Sequence, residues 1–169
     1  MKKIYLIITT IILSFNFSIA QEYTNSIGIK VGKFSSGITA KRFFSSTNSL
    51  AMEGNLTMKK NFGTALATIF LEKQFSLRDS DLKIPLDLIL GGGVQTAFYK
   101  EGYYKIRNSE INRYYNSGVS MGIDGKVALE HAFSFAPLTF GIEAVPFFEF
   151  INPGPENLEL AMRLCYVFR

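Results

Sequence analysis

The stretch Glu156-Asn-Leu-Glu-Leu-Ala-Met-Arg-Leu-Cys-Tyr-Val-Phe-Arg169 carries the pattern that decides the fold. Its even-numbered positions from Leu158 to Phe168 are all apolar, whereas its odd-numbered positions include Glu159 and Arg163. Successive side chains of a β-strand point to opposite faces, so this pattern predicts a strand with one apolar and one mixed face. In a soluble sheet the apolar face would cover a core. In an outer-membrane barrel it would meet lipid, and the mixed face would line the lumen.

The first 20 residues predict a secretory signal peptide. Lys2 and Lys3 precede a mostly apolar run over residues 4–12, and Ser18-Ile-Ala20 places small residues at a cleavage site. The run is too short and wrongly flanked for a membrane anchor, although a tilted N-terminal membrane helix is the alternative. We therefore expect export to the outer membrane and a mature chain, residues 21–169, that forms one barrel domain.

The composition excludes several classes of function. Without Lys2 and Lys3 the formal charge falls from +4 to +2, so no nucleic-acid partner is expected. A single Cys165 and a single His131 argue against a disulfide, a metal site or a cofactor. Hydrophobic residues make up 47% of the chain, yet no stretch after residue 20 reaches the roughly 18 apolar residues of a membrane helix. Membrane-spanning strands produce this combination.

Eight segments share the alternation, and short polar turns between them predict antiparallel neighbours. We expect a tight turn at Ser35-Ser-Gly37 and a bulge or a barrel rim at Pro146, which lacks a donor for the ladder. Gly91 and Gly93 are expected to point inward and to admit an aromatic or arginine side chain from across the lumen. The three consecutive glycines lack the Lys-Ser/Thr and the helix start of a phosphate loop. The predicted strands span residues 25–34, 38–44, 49–58, 62–75, 82–98, 117–131, 138–150 and 158–168.

The fold class that follows is all-β, a closed up-and-down antiparallel transmembrane β-barrel of eight strands. The mixed faces collect too many charges for a soluble core, whereas the opposite faces are almost entirely apolar. In the strand over residues 62–75 the faces are less distinct, and we take the one with Thr64, Phe70 and Glu72 as the inner face. The alternative is a soluble periplasmic β-sandwich or lipocalin-like barrel with the faces reversed.

The charged inner side chains are expected to pair with one another and to fill the lumen, because an eight-stranded barrel is just wide enough for its side chains. The predicted lumen charge network consists of Lys30, Lys41, Glu53, Asp87, Asp124, Lys126, Glu130, Glu143, Glu159 and Arg163.

The longest connection, residues 99–116, is rich in tyrosine and basic residues. If the chain begins in the periplasm, this connection faces outward, as long loops of outer-membrane barrels do. Tyrosine and arginine are favoured at binding hot spots, although tyrosines also anchor barrels at the membrane rim. The possible surface-binding residues are Tyr99, Tyr103, Tyr104, Arg107, Arg113, Tyr114 and Tyr115.

The sequence resembles the small outer-membrane β-barrel domain proteins of Gram-negative bacteria. The resemblance rests on Gly37-Ile-Thr-Ala-Lys-Arg-Phe-Phe44 with Ala51-Met-Glu-Gly54, on Gly91-Gly-Gly-Val-Gln-Thr-Ala-Phe-Tyr99, and on Gly122-Ile-Asp-Gly125 followed by Leu129-Glu130. It implies an eight-stranded barrel with no agreed catalytic residues. The chain departs from the usual terminal aromatic residue, since Phe168 is followed by Arg169.

Three classes of function remain open. The first is a non-enzymatic structural or surface-exposed barrel. Bilayer recording would distinguish it from a narrow channel. The second is a lipid hydrolase, which requires a nucleophile, a base and an orienting group within reach of one another. His131 beside Glu130 meets this requirement poorly. We therefore expect no catalytic residue. The third is adhesion through residues 99–116. The expected partners are outer-membrane lipids and, through the C-terminal strand, the barrel-assembly machinery, with the protein itself a monomer.

Overall fold

The computed structural model describes residues 24–44, 49–59, 64–77, 86–99, 102–105, 112–115, 118–151 and 157–168. Eight antiparallel strands close into an up-and-down barrel in which chain neighbours pair and the first strand meets the last. The predicted fold class, an all-β closed antiparallel barrel of eight strands, is confirmed. The barrel strands are β1 (Asn25–Gly32), β2 (Ser35–Phe43), β3 (Leu50–Lys59), β4 (Thr64–Ser76), β5 (Asp87–Tyr99), β8 (Gly118–Ala132), β9 (Leu138–Ile151) and β10 (Leu158–Phe168).

A separate two-stranded sheet lies within the longest connection, between β5 and β8. It consists of β6 (Gly102–Lys105) and β7 (Asn112–Tyr115), which pair as an antiparallel hairpin. Within the described ranges the structure contains no helix long and apolar enough to cross a membrane. The signal peptide expected over residues 1–20 lies outside the described residues.

Closure of the barrel depends on the strand quoted first. β10 pairs with β1 over eight residues, from Asn25 opposite Phe168 to Gly32 opposite Ala161. From Ile27 opposite Tyr166 to Val31 opposite Met162, an apolar or aromatic residue of β10 stands beside an apolar residue of β1 at every second position, so the two faces form one surface. The closed ladder leaves the barrel strands without a free sheet edge.

Exposure alternates along every barrel strand, and the apolar residues are the exposed ones. Leu56, Ile123 and Leu160 are 60, 56 and 54% exposed on the outer surface. The inner face holds most of the charged side chains, so the arrangement is the reverse of a soluble lipocalin-like barrel. In β4, Thr64, Thr68, Phe70 and Glu72 point inward, whereas Ala65, Ile69, Leu71 and Lys73 point outward.

The first turn differs from its prediction. β2 begins at Ser35, and the turn is the two-residue connection Lys33–Phe34, so the prediction of a turn at Ser35-Ser-Gly37 is wrong. The reason is a contact with β10. The Glu159 carboxylate accepts hydrogen bonds from the backbone N–H of Phe34 at 3.2 Å and of Ser35 at 3.0 Å. A residue 124 positions away thus determines where the turn lies.

Pro146 lies at the end of the β9–β10 ladder, opposite Leu158. In the β8–β9 ladder the register is the same on both sides of Pro146, and the shift falls instead between Met121 and Gly122. No bulge is therefore observed at Pro146, which lies within β9 and ends only its ladder with β10.

Candidate functional site: the charged interior of the barrel

Inward glycines provide the space for the largest interior side chains. Gly93 of β5 stands opposite Phe70 of β4, and a Cβ atom on Gly93 would lie 2.7 Å from Cδ1 of the Phe70 ring. Gly141 of β9 stands opposite Arg163 of β10, and a Cβ atom there would lie 2.9 Å from the Arg163 Nε. The aromatic side chain expected at Gly93 is thus present, but it comes from the adjacent strand and not from across the lumen.

Eight charged side chains meet in the middle of the barrel, and each is at most 5% exposed. Four are cations and four are carboxylates, so the group is formally neutral. Seven of the eight barrel strands contribute to it; β5 contributes glycines instead. We call this group the interior cluster: Lys30, Lys41, Glu53, Glu72, Lys126, Glu130, Glu143 and Arg163.

Lys126 is the centre of one half of the interior cluster. Its ammonium group lies 2.6 Å from a carboxylate oxygen of Glu53, 2.6 Å from one of Glu72 and 3.1 Å from one of Glu143. The same nitrogen lies 5.0 Å from the centroid of the Phe70 ring, within the range of a cation–π interaction. Three carboxylates from β3, β4 and β9 are therefore held by one lysine of β8.

Arg163 is the centre of the other half. Its guanidinium donates through Nη1 to Glu53 and through Nη2 to Glu130, the latter at 2.7 Å. Glu130 also accepts from Lys41 at 3.3 Å through both oxygens. An arginine is suited to this position, because its planar group presents several donors in fixed directions. Glu53 contacts both Arg163 and Lys126 and so joins the two halves.

Lys30 completes the cluster from the hairpin end of the barrel, the end at which the β6–β7 hairpin connects β5 and β8. It forms an ion pair with Glu143, whose other oxygen faces Lys126. Lys30 also stands directly opposite Arg163 in the β1–β10 ladder. Like charges directly opposite one another destabilise a ladder. Glu143, which pairs with Lys30, and Glu53, which pairs with Arg163, offset this repulsion.

Three residues of the predicted network lie apart from the interior cluster. Asp87 accepts a hydrogen bond from Gln74 at 3.0 Å. Asp124 is 6% exposed and lines a small cavity. Glu159, which we expected to pair with a basic side chain, instead binds the first turn and the Ser35 hydroxyl. The barrel therefore brings seven of the ten predicted residues into one cluster.

Three further charged residues point into the barrel without having been among the predicted ion-pair residues. Glu72 belongs to the interior cluster through Lys126. Lys59 and Glu149 are each 5% exposed, and Glu149 accepts from Gln95 at 3.4 Å. Lys59 is an even number of positions from the inward Glu53 of β3, and Glu149 is an even number of positions from the inward Glu143 of β9. Extending the alternation to the strand ends would have identified both.

A cavity lies between the interior cluster and the hairpin end of the barrel. It leaves about 20 Å³ accessible to the centre of a water molecule, which is room for about one water. Lys30, Lys59 and Asp124 are among the residues around it. The Oδ1 atom of Asp124 has no hydrogen-bond partner among the described residues, so a single water molecule would suit this position.

The tyrosine-rich residues of the long connection are brought together by the β6–β7 hairpin. In its register Tyr103 stands opposite Tyr114, and Tyr104 stands opposite Arg113. Tyr115 stands opposite Gly102, and Tyr99 is the last residue of β5. Arg107 lies outside the described residues.

The residues considered for catalysis are not assembled into a site. Glu130 points into the barrel and pairs with Arg163, whereas His131, the next residue, is on the other face of β8. The His131 ring meets Phe133 edge to face at 4.9 Å. In the described part of the chain, no three His, Cys, Asp or Glu side chains are grouped as metal ligands would be.

Comparison with known proteins gives a likeness of fold. No protein-family model matches the chain, and no curated protein matches it by sequence. Among solved structures, the crystal structure of the N-terminal β-barrel domain of OprF from Pseudomonas aeruginosa is similar, with a TM-score of 0.60 and 8% sequence identity. The match covers 85% of this chain and 96% of the OprF domain. The chain therefore has the fold of the eight-stranded OprF barrel domain.

Proposed function

We propose that the mature chain is an integral outer-membrane β-barrel with a structural or surface-exposed role, and that the interior cluster closes its lumen. One observation carries the proposal. The outer surface of the eight barrel strands is almost entirely apolar, while most charges are turned inward, where those of the interior cluster balance one another. OprF, whose barrel domain has the same fold, is an outer-membrane protein, which supports this location.

The physical argument for a lipid environment is the size of the exposed apolar surface. More than twenty large hydrophobic side chains on the outer face are at least 39% exposed. A soluble monomer rarely exposes a contiguous apolar patch above a few hundred Å². In a bilayer the same surface is favourable, and the closed ladder pairs the backbone polar groups internally, as hydrocarbon requires.

The argument for a closed lumen is the packing of the interior cluster. Long side chains from opposite walls meet at ion-pair distance, so Lys126 of β8 reaches Glu53 of β3, and Lys41 of β2 reaches Glu130 of β8. An eight-stranded barrel has an interior that its own side chains can fill. An ion crossing this barrel would have to separate buried pairs, which costs several kcal/mol.

The remaining parts of the proposal concern orientation and partners. With both termini in the periplasm, the β6–β7 hairpin would stand on the cell surface, where long loops of such barrels lie. β10 would present its outward apolar row to the barrel-assembly machinery. The second candidate function, adhesion or partner binding, is favoured by the pairing of tyrosines in this hairpin, Tyr103 with Tyr114.

The experiment that tests the proposal is reconstitution of the mature chain in detergent and then in planar bilayers. A folded barrel should migrate differently on a gel before and after boiling, and it should show no steady conductance. Loss of the heat-dependent shift, or a protein that stays soluble without detergent, would refute the membrane location. A steady, ion-selective conductance would refute the closed lumen while leaving the barrel intact.

A further inference from the structure

The outer surface of β1–β4 contains a groove. In the ladder register one row of outward residues crosses the four strands with a large residue at each end and small ones in the middle: Ile27, Ala40, Gly54 and Ile69. A Cβ atom on Gly54 would have no atom within 4 Å, so the space above it is open. The groove measures about 390 Å³, and the outward side chains that line it are apolar except for Asn25 and Arg42, which stand opposite each other in the β1–β2 ladder.

The groove is limited on both sides along the strands. Toward the hairpin end, the next outward row places Ile38 beside Leu56, which are larger than Ala40 and Gly54. Toward the end with the termini, the next row places Arg42 beside Met52, and both of these line the groove. The groove is therefore an apolar trough with one guanidinium at its terminal end.

Among the outward side chains of the described strands, Arg42 has no counter-charge. It is an exposed, outward-facing residue next to the last residue of β2. Among the outward side chains that the structure describes, none is acidic; those that carry charge on the strands are Arg42 and Lys73, both near the terminal rim. A cation on a lipid-facing surface is costly unless it reaches the interface and a partner there. The described outer face thus lacks the paired charges of the interior cluster.

We infer that this groove binds one phospholipid molecule, with an acyl chain between Ile27 and Ile69 and the phosphate on the guanidinium of Arg42. The inference rests on the proposed membrane location. A phosphate supplies the missing negative charge, and arginine can bind it through two parallel N–H groups. The chain fills apolar space that opens between larger side chains, so both parts of the lipid have a complementary surface.

Charge also argues against a second copy of the chain as the occupant. In a symmetric dimer the same patch meets itself, so two Arg42 side chains would approach each other. The outer face of the described strands offers no carboxylate to compensate them. A lipid with a negatively charged headgroup meets no such repulsion.

The test is native mass spectrometry of the full mature chain, folded in detergent micelles and titrated with dimyristoyl phosphatidylglycerol. Dimyristoylglycerol keeps the chains without the phosphate, and glycerol 3-phosphate keeps the phosphate without the chains. Two variants address the two parts of the groove. Arg42→Gln removes the charge, with Lys73→Gln as the matched control. Gly54→Leu fills the trough, with Gly92→Leu as the control, because a Cβ atom on Gly92 also has space, its nearest atom lying 3.9 Å away.

We expect one retained phosphatidylglycerol per chain and weaker binding of each partial ligand. Arg42→Gln and Gly54→Leu should each weaken retention by about tenfold, the loss expected for one charge-assisted contact or one filled site. Each control should stay within about twofold of the natural chain, as surface changes usually do.

The inference would be overturned if Arg42→Gln and Gly54→Leu retained as much phosphatidylglycerol as their control variants do. It would also be overturned if the natural chain retained dimyristoylglycerol as well as phosphatidylglycerol. A dimer that Gly54→Leu dissociates would also overturn it and would assign the groove to a second copy. Heat-dependent gel mobility, measured on every sample, separates the two proposals. A sample that shifts on boiling but retains no lipid contradicts only the lipid site, whereas a chain that never shifts contradicts the membrane barrel.

Discussion

At the scale of single residues, the absence of a side chain is as important to the interior as the charges are. Phe70 is fully buried beside Gly93, and the centroid of its ring lies 5.0 Å from the ammonium nitrogen of Lys126. A Cβ atom at position 93 would clash with the Ile69 carbonyl oxygen and lie 2.7 Å from the Phe70 ring, so a larger residue would displace the backbone of β4 or push the ring toward the lysine. Gly92, the preceding residue, points outward and meets no such constraint, with its nearest potential neighbour at 3.9 Å.

This difference predicts opposite effects of the same substitution at adjacent positions. Gly93→Ala should lower the free energy of unfolding by about 1–3 kcal/mol, the usual cost of overpacking. Gly92→Ala should change it by less than about 1 kcal/mol, and in the stabilising direction, because alanine restricts the unfolded chain. Urea titration of both variants in detergent micelles measures the effect. Equal midpoints for the two would contradict the packing of Phe70 against Gly93.

At the scale of elements, the β6–β7 hairpin is separate from the barrel. Its two strands pair with each other and form their own sheet, while β5 and β8 continue the barrel on either side. Those two strands are paired over 13 residues, so their association does not depend on the hairpin that connects them. The hairpin is therefore suited to a role of its own at the barrel rim.

Replacement of residues 101–116 by a short Gly/Ser turn should leave the barrel folded, with a change in unfolding free energy below about 0.5 kcal/mol. If the hairpin binds a partner, adhesion of cells expressing the shortened form should fall to the level of cells without the protein. A variant with Tyr103→Ser and Tyr114→Ser keeps the hairpin length and should show the same loss of adhesion. If these tyrosines are instead membrane anchors, the serine variant will lower the urea midpoint in vesicles and leave adhesion unchanged.

At the scale of the whole molecule, the interior cluster joins seven strands through a neutral set of charges. Its members are distant in sequence; Arg163 and Glu53, for example, are 110 residues apart. A buried charge that loses its partner is strongly destabilising, whereas a balanced loss of both partners is tolerated better. We therefore expect the stability of the barrel to depend on the charge balance of the cluster more than on any one pair.

Arg163→Met should therefore lower the free energy of unfolding by about 3 kcal/mol, because it leaves one carboxylate of the cluster uncompensated. Addition of Glu53→Gln should recover at least part of this loss by restoring neutrality, even though a second contact of Lys126 is weakened. The two variants are compared by urea titration in micelles at neutral pH. A double variant that is no more stable than Arg163→Met alone would contradict the argument from charge balance.

Much of this architecture follows from alternation alone. The inward or outward orientation of the side chains was predictable for all eight strands, including β4. Once one side chain of a strand is assigned to a face, the period of two assigns the others. The same rule, extended by one residue beyond the strand predicted over 49–58 and followed to the end of the one predicted over 138–150, would have added Lys59 and Glu149 to the inner face. The number of charged residues on the mixed faces then predicts that the apolar faces point outward, because a soluble core does not accept so many charges.

The class of fold, the eight strands and the two faces of each can be predicted from the amino-acid sequence, because they depend on local periodicity. The folded barrel is needed to show which charges meet, that Glu159 binds the first turn, and that Phe70 comes to Gly93 from the neighbouring strand. The physical reason is that partner choice depends on the stagger between strands and on barrel curvature. β10 illustrates both, since its apolar row was readable from the sequence, whereas the contacts of its Glu159 and Arg163 appear only when the barrel closes.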